Sequence, residues 1–186
     1  IYIIYRFIHK YILMKIAIIG KICSGKTTTA DILIGLNNDF QKLSFAGKVK
    51  SIAVDLFDME KKDRKLLQQI GTYMREIDPD VWANYVVKQS KKYNYVVIDD
   101  LRYKNEYNLL KKNGFKIIKL VISKELQLTR LKNTYTTNYK NHLENLNHES
   151  ELFSETINNS DVDLVINVDN TENINEVIKN FYLSLL

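Results

Sequence analysis

The chain has 186 residues, a formal net charge of +5 and a single cysteine, Cys23. That length suits one domain with a small insert, the lone cysteine excludes an intramolecular disulfide, and one proline with six glycines argue against a loop-rich or all-β chain. The positive charge is mostly lysine in a chain also rich in Ile, Asn and Tyr, a codon-composition bias, so no stable nucleic-acid partner is expected from it. The five arginines, Arg6, Arg64, Arg75, Arg102 and Arg130, carry more information. Against a lysine bias, an arginine marks places where a planar, bidentate donor is needed.

Residues 1–13 are apolar and aromatic but broken by Arg6, His9 and Lys10. The runs are too short for a membrane span, and no small-residue cleavage site follows. This segment reads as a non-essential N-terminal extension, with Met14 as a natural start and a single domain over 14–186. From Lys15 to Ile19 a short apolar run ends at Gly20, which predicts a buried strand. Helical spacing follows from Lys26 to Leu36, then a strand over Phe40 to Phe45. Two amphipathic helices are predicted over Ala46 to Phe57 and Asp63 to Ile77. Asp78-Pro79 reads as the cap and first residue of the next helix, which carries Trp82, Tyr85 and Val86.

The β-branched run Tyr95 to Ile98 predicts another buried strand, ending in Asp99-Asp100. A helix from Tyr103 to Asn113 stops at Gly114, which suits a left-handed cap. A strand follows over Phe115 to Ile122. Ser123 caps a helix with Leu126, Arg130 and Leu131. Between 132 and 147 the pattern dissolves into Asn, Thr, Tyr and Lys, the mark of a lid-like insert. Val162 to Ile166 is the last strand, and Thr171 is expected to cap a C-terminal helix. Strands alternating with helices imply an α/β fold with a mainly parallel sheet flanked by helices.

Gly20-Lys21-Ile22-Cys23-Ser24-Gly25-Lys26-Thr27 matches the phosphate-loop pattern G-x-x-x-x-G-K-S/T. Glycines let successive backbone N–H groups converge on one anion, and the following helix presents its positive end. Gly20, Lys21, Cys23, Ser24, Gly25, Lys26, Thr27 and Thr28 are therefore the candidate residues for ATP. Lys26 reaches the β- and γ-phosphates and is expected to face solvent; Thr27 offers a hydroxyl to Mg²⁺. A P-loop site also needs an acid at the end of a buried strand. Asp99 and Asp100 fit that place. Neighbours on a strand point opposite ways, so one serves the metal or nucleophile and the other caps a loop, and both stay candidates.

Lys61-Lys62-Asp63-Arg64-Lys65-Leu66-Leu67-Gln68, Gly71, Arg75, Asp78-Pro79-Asp80-Val81-Trp82, Asp99-Asp100-Leu101-Arg102 and Asn105-Glu106 together resemble the deoxynucleoside monophosphate kinases of phages and large DNA viruses. Animal-type phosphomevalonate kinases are similar more distantly, which leaves the acceptor open between a nucleotide and another phosphorylated metabolite. The resemblance covers about Met14 to the C-terminus. It implies a P-loop nucleoside monophosphate kinase-like fold, ATP and Mg²⁺ as cofactors, and a cytoplasmic enzyme of nucleotide metabolism, in the host cytoplasm for viral members. It also implies a small-molecule acceptor and no membrane partner, and leaves a homodimer open. On its terms Lys50, Arg75 and Arg102 hold the acceptor and Asn167 lies near the donor adenine; Trp82 is open between stacking on the acceptor base and a place in the core, where large aromatics mainly supply buried area. His148 falls at the end of the lid. Arg130 opens the insert and is placed to act on the transferring group, with Lys26, Asp99 and Asp100 as the other candidate catalytic residues. A nucleotide switch with slow hydrolysis is the reading from a different class.

Overall fold

A computed structural model of the chain describes residues 13–136, 143, 146 and 149–186. Five strands form one sheet: β1 (Met14–Gly20), β2 (Gln41–Leu43), β3 (Tyr95–Leu101), β4 (Lys116–Val121) and β5 (Leu164–Asn167). Their spatial order is β2-β3-β1-β4-β5, and every pairing is parallel. Eight helices cover the sheet among the described residues. They are α1 (Lys26–Leu36), α2 (Phe45–Phe57), α3 (Arg64–Ile77), α4 (Val81–Ser90), α5 (Lys104–Lys112), α6 (Lys124–Thr134), α7 (Glu149–Thr156) and α8 (Ile174–Ser184).

Strand alternation sorts the core into two layers. Ala17, Ile19, Val96, Ile98 and Ile117 pack with Ala53, Trp82, Val86 and Leu110 on one face of the sheet. Ile16, Ile18, Val97, Ile118 and Leu120 pack with Ala30, Leu33, Ile178 and Tyr182 on the other. With both faces covered, β1 and the first four residues of β3 read as nearly unbroken apolar runs, as parallel strands do; in β4 the buried Lys119 donates to the Ile157 carbonyl. Burying one such Ile or Leu contributes about 1.5–3 kcal/mol, whereas an exposed ion pair such as Lys116–Asp163 contributes about 0–1 kcal/mol. Hydrophobic burial therefore holds the sheet, and its charges are free for other work.

The expected α/β fold is the observed one, with two local differences. Helix α4 starts at Val81, two residues after Pro79. Asp78 instead ends α3, and its carboxylate accepts the Asp80 N–H at 2.9 Å, closing a turn. Helix α8 is capped by Asn173, which accepts from the Glu176 N–H at 3.1 Å; Thr171 donates its hydroxyl to the Asn167 carbonyl. The insert expected over 132–147 lies mostly outside the described residues, as does His148.

The chain from β1 goes outward to β2 and returns to β3 beside β1, while β4 and β5 extend the other edge. The carboxyl ends of β1 and β3 thus meet where the strand order changes sides, the crevice in which open α/β sheets bind ligands. β3 is irregular there. Ala17 pairs with Ile98 but Ile19 pairs with Leu101, so β3 carries one residue more than β1 over this step. That extra residue falls at Asp99-Asp100. Such irregularities re-aim side chains.

Candidate active site

Gly20 ends β1, where a Cβ would stand 2.7 Å from the Ser24 hydroxyl oxygen and 2.8 Å from the Leu120 carbonyl oxygen, so no larger residue fits. Gly25 has φ +99 and Cys23, a non-glycine, has φ +63. Left-handed backbone at Cys23 costs on the order of 1 kcal/mol, a strain held by the surrounding turn. Gly25 occupies the N-cap of α1, where no side chain caps the helix and no acid lies in the first turn. By contrast Ser44, Asp63, Ser123 and Asn173 each cap their helix through a side chain. The first N–H groups of α1 are thus left directed at the crevice, with the positive end of the helix dipole behind them. The buried Ser24 hydroxyl finds no hydrogen-bond partner among the described residues. An uncapped helix start beside an orphan hydroxyl suits a phosphate chain.

Lys26 does not face solvent. It is 9% exposed, and its ammonium donates to the carbonyls of Gly20 at 2.6 Å and Lys21 at 2.9 Å. Burial lowers its pKa to about 8, helped by repulsion from Arg102 and opposed by Glu151 and Asp99. The loop thus folds its own lysine back along the phosphate cradle and fixes where its charge sits. The Lys21 side chain turns away from the cavity and pairs with Glu155, so it serves the loop's shape. Burial raises the pKa of the Cys23 thiol, which is the behaviour of a space-filling cysteine.

The two acids separate. Asp99 accepts from the Thr27 hydroxyl at 2.9 Å and pairs with Lys42 at 2.7 Å. Asp100 accepts from the Ser44 hydroxyl at 2.7 Å and from the N–H groups of Phe45 at 3.1 Å and Ala46 at 3.0 Å. Asp100 is therefore bound to the start of α2, and Asp99 alone meets Thr27. Gly47 sits in the first turn of α2, its N–H donating to Ser44 Oγ.

A cavity of about 650 Å³ runs along the phosphate loop, and Thr27, Thr28, Asp99, Arg102 and Arg130 stand in its wall. Arg130 donates to the Cys23 carbonyl at 3.2 Å. Val168 and Ile174 also line it. Asn167 does not: its side-chain oxygen accepts the Asp169 N–H at 3.1 Å and closes the turn after β5. Val168 and Ile174, rather than Asn167, thus face this cavity.

A second cavity, of about 420 Å³, lies between α2 and α3 and shares Asp100 and Arg102 with the first. Lys50, Arg75, Gln68 and the apolar Phe45, Val49 and Leu67 line it. The Arg75 guanidinium lies 4.9 Å from the centre of the Tyr103 ring and donates to the Gly71 carbonyl at 3.1 Å. Trp82 lines neither cavity. It is 3% exposed, within the core, and its indole N–H is satisfied by the same Gly71 carbonyl at 3.2 Å, so it cannot stack on a ligand.

Three carboxylates and a lysine complete the site, none of them given a role by the sequence. Glu106 accepts from the N–H groups of Arg102 at 3.0 Å and Tyr103 at 3.1 Å. Burial pushes its pKa up to about 7 despite those two bonds. Glu151 bonds Arg102 and the Ile22 N–H, Glu155 pairs with Lys21, and Lys42 pairs with Asp99. The roles of Glu151, Glu155 and Lys42 depend on contacts between distant segments. Only Glu106 leaves a local trace, as an acid in the first turn of its helix.

Comparison with known proteins agrees with this architecture. A protein-family profile described as an AAA domain matches residues 16–154. No curated protein matches the chain in sequence. Among solved structures, shikimate kinase from Aquifex aeolicus VF5 aligns over 92% of this chain and 96% of its own, at 22% identity and a TM-score of 0.53. Shikimate kinase from Acinetobacter baumannii, in complex with shikimate, aligns over 93% of this chain and 92% of its own, at 19% identity and a TM-score of 0.54. The tunicamycin resistance protein of Deinococcus radiodurans aligns over 92% and 95%, at 17% identity and a TM-score of 0.55. These likenesses establish a P-loop kinase-like fold. No helix among the described residues is long and apolar enough to cross a membrane.

Proposed function

Because the chain belongs to the AAA-domain family, we propose that it is an ATP-dependent kinase converting a (deoxy)nucleoside monophosphate to the diphosphate. The observation that carries this reading is the pair of cavities with a common wall at Asp100 and Arg102. One has the features of a triphosphate cradle. The other offers Lys50, Arg75 and Arg102 beside an apolar surface with one amide, Gln68. Three cations suit an acceptor that already bears a phosphate, and the apolar face suits a planar base.

Phosphoryl transfer needs alignment and charge neutralisation more than covalent chemistry. The phosphate loop holds the donor through its N–H groups, and Lys26 offsets charge along the cradle. Thr27 and Asp99 form a hard-oxygen pair that suits Mg²⁺. When bound, Mg²⁺ supplies neutralisation of the triphosphate and fixes its geometry. Arg75 and Arg102 clamp the acceptor phosphate, Lys50 adds charge at its rim, and Asp100 sets the wall by holding α2. Arg130 lines the donor cavity, hydrogen-bonded to the loop, and acts on the transferring group.

A coupled ADP-release assay over nucleoside and deoxynucleoside monophosphates, phosphomevalonate, dephospho-coenzyme A and shikimate tests the reading. Stimulation by one or more nucleoside monophosphates is the expected result. Stimulation by another acceptor alone moves the substrate class, and a flat, slow background leaves a nucleotide switch.

A further inference from the structure

Arg102 stands in both cavities, and a guanidinium there is useful only if it is aimed. Its backbone is fixed by Glu106. Its side chain is fixed by a different element. Glu151 of α7 is 6% exposed and uses both carboxylate oxygens. One accepts from Arg102 Nη1 at 2.6 Å, the other from the Ile22 N–H of the phosphate loop at 2.6 Å. Helix α7 is itself seated on the loop. Glu155 pairs with Lys21, and Gln127 of α6 donates to the Ile22 carbonyl at 3.2 Å. The carboxylate is therefore a rigid brace between the donor loop and the residue shared with the acceptor cavity.

We propose that Glu151 is a positioning residue, which holds the Arg102 guanidinium at the common wall so that its remaining N–H groups meet the phosphates of both substrates. This rests on the two-substrate reading above. A guanidinium carries five N–H donors, and Glu151 accepts from one of them, on Nη1, leaving the others for ligand. The negative charge also lets two cations share one small space. Arg102 disfavours the charged form of Lys26, and Glu151 favours it.

Glu151→Gln keeps an oxygen for the Ile22 N–H and removes the charge that holds Arg102. The first measurement is modification by phenylglyoxal, an arginine-selective reagent, read residue by residue by mass spectrometry. Arg102 should label about fivefold faster in the variant, with Arg75 and Arg130 changed less than about twofold, because a charge-assisted bond is lost at one site only. The second is steady-state kinetics. The acceptor KM should rise about tenfold and the ATP KM by less than about twofold, and in an Arg102→Ala background Glu151→Gln should add nothing to the acceptor KM. Unchanged labelling of Arg102, or an equal effect of Glu151→Gln with and without Arg102, would overturn the proposal, since a merely structural brace behaves that way. If no monophosphate stimulates the wild-type enzyme, the kinase reading has failed separately. Labelling then still decides the placement of Arg102, and titration with inorganic phosphate takes the place of the acceptor KM under the same double-variant criterion. Should Glu151→Gln not fold, Glu151→Asp shortens the reach, keeps the charge, and must speed Arg102 labelling in the same direction.

Discussion

Lys26 shows how a motif can name a residue without giving its posture. The G-x-x-x-x-G-K-T spacing identifies the lysine, but its burial against two carbonyls comes from the turn made by its own loop. That posture has a pH consequence. With burial lowering the pKa to about 8, Lys26 is charged below that value and loses its charge above it. The kcat/KM for ATP should therefore fall as pH rises through about 8, while kcat holds to higher pH because bound phosphates favour the charged lysine. Paired pH profiles of the two parameters check this; an alkaline fall that begins equally in both would contradict it. Lys26→Ala should lower kcat about 10²–10³-fold, the usual cost of one preorganised donor at developing charge, with the fold intact by circular dichroism. The adjacent acids give a sharper contrast. Alternation along the strand made it legible that Asp99 and Asp100 diverge, but not which faces Thr27, since that depends on the extra residue in β3. Asp99→Asn should lower kcat about 10²–10³-fold with raised Mg²⁺ requirement and little change in stability. Asp100→Ala should instead cost about 0.5–2 kcal/mol by uncapping α2, read as a lowered Tm. Reversal of these two patterns would exchange the assignments.

Elements were legible where periodicity and a cap agreed, and less so where the cap was chosen by a neighbour. Ser123 caps the helix expected of it because it lies immediately before a clear apolar period, and the helix predicted from Asp63 starts one residue later, with Asp63 as its cap. Asp78-Pro79 carries the same local signal but serves as the turn between α3 and α4, where Asn105 of α5 donates to the Pro79 carbonyl at 3.0 Å and to Asp80 at 2.8 Å. Trp82 illustrates the same limit: local pattern left it open between a base contact and the core, and the packing of α4 on the sheet buries it. Helix α5 has a titrating start. Glu106, 3% exposed, has its pKa raised from 4.5 to about 7. Between those values the folded state holds a proton that the unfolded state has released, so stability falls as pH rises from about 4.5 through 7 and levels off above. The shift corresponds to at most about 3 kcal/mol. Urea unfolding at pH 5 and pH 8 should show wild type losing stability across this range from this group, and Glu106→Gln losing less. Equal losses in the two proteins would show that Glu106 is ionised throughout.

At the scale of the whole molecule, the alternation of strands and helices was enough to give a mainly parallel sheet flanked by helices, and the phosphate loop to mark one end of its first strand. What local pattern could not give is the meeting of α2, α3, β3 and α7 around one arginine, because Arg102, Glu151 and Ile22 are brought together only by the finished fold. The last prediction tests that meeting by dividing the arginines between two tasks. Arg75 lines only the second cavity, Arg102 lines both, and Arg130 lines only the first. Arg75→Ala should therefore raise the acceptor KM strongly and leave the ATP KM unchanged. Arg102→Ala should raise the acceptor KM and also lower kcat, since a displaced acceptor reacts poorly. Arg130→Ala should lower kcat with little effect on either KM. Arginines acting on a transferring phosphoryl group are worth about 10³–10⁵ in kcat, and the lower end is expected here because Lys26 remains in the same cavity. Lysine at each position should restore only part of the loss, because it keeps the charge but not the planar fork. Steady-state kinetics on the three alanine and three lysine variants, with donor and acceptor varied separately, measures all of this. An Arg75→Ala enzyme altered only in its ATP KM would move the acceptor away from the second cavity, and the kinase reading would lose the observation it stands on.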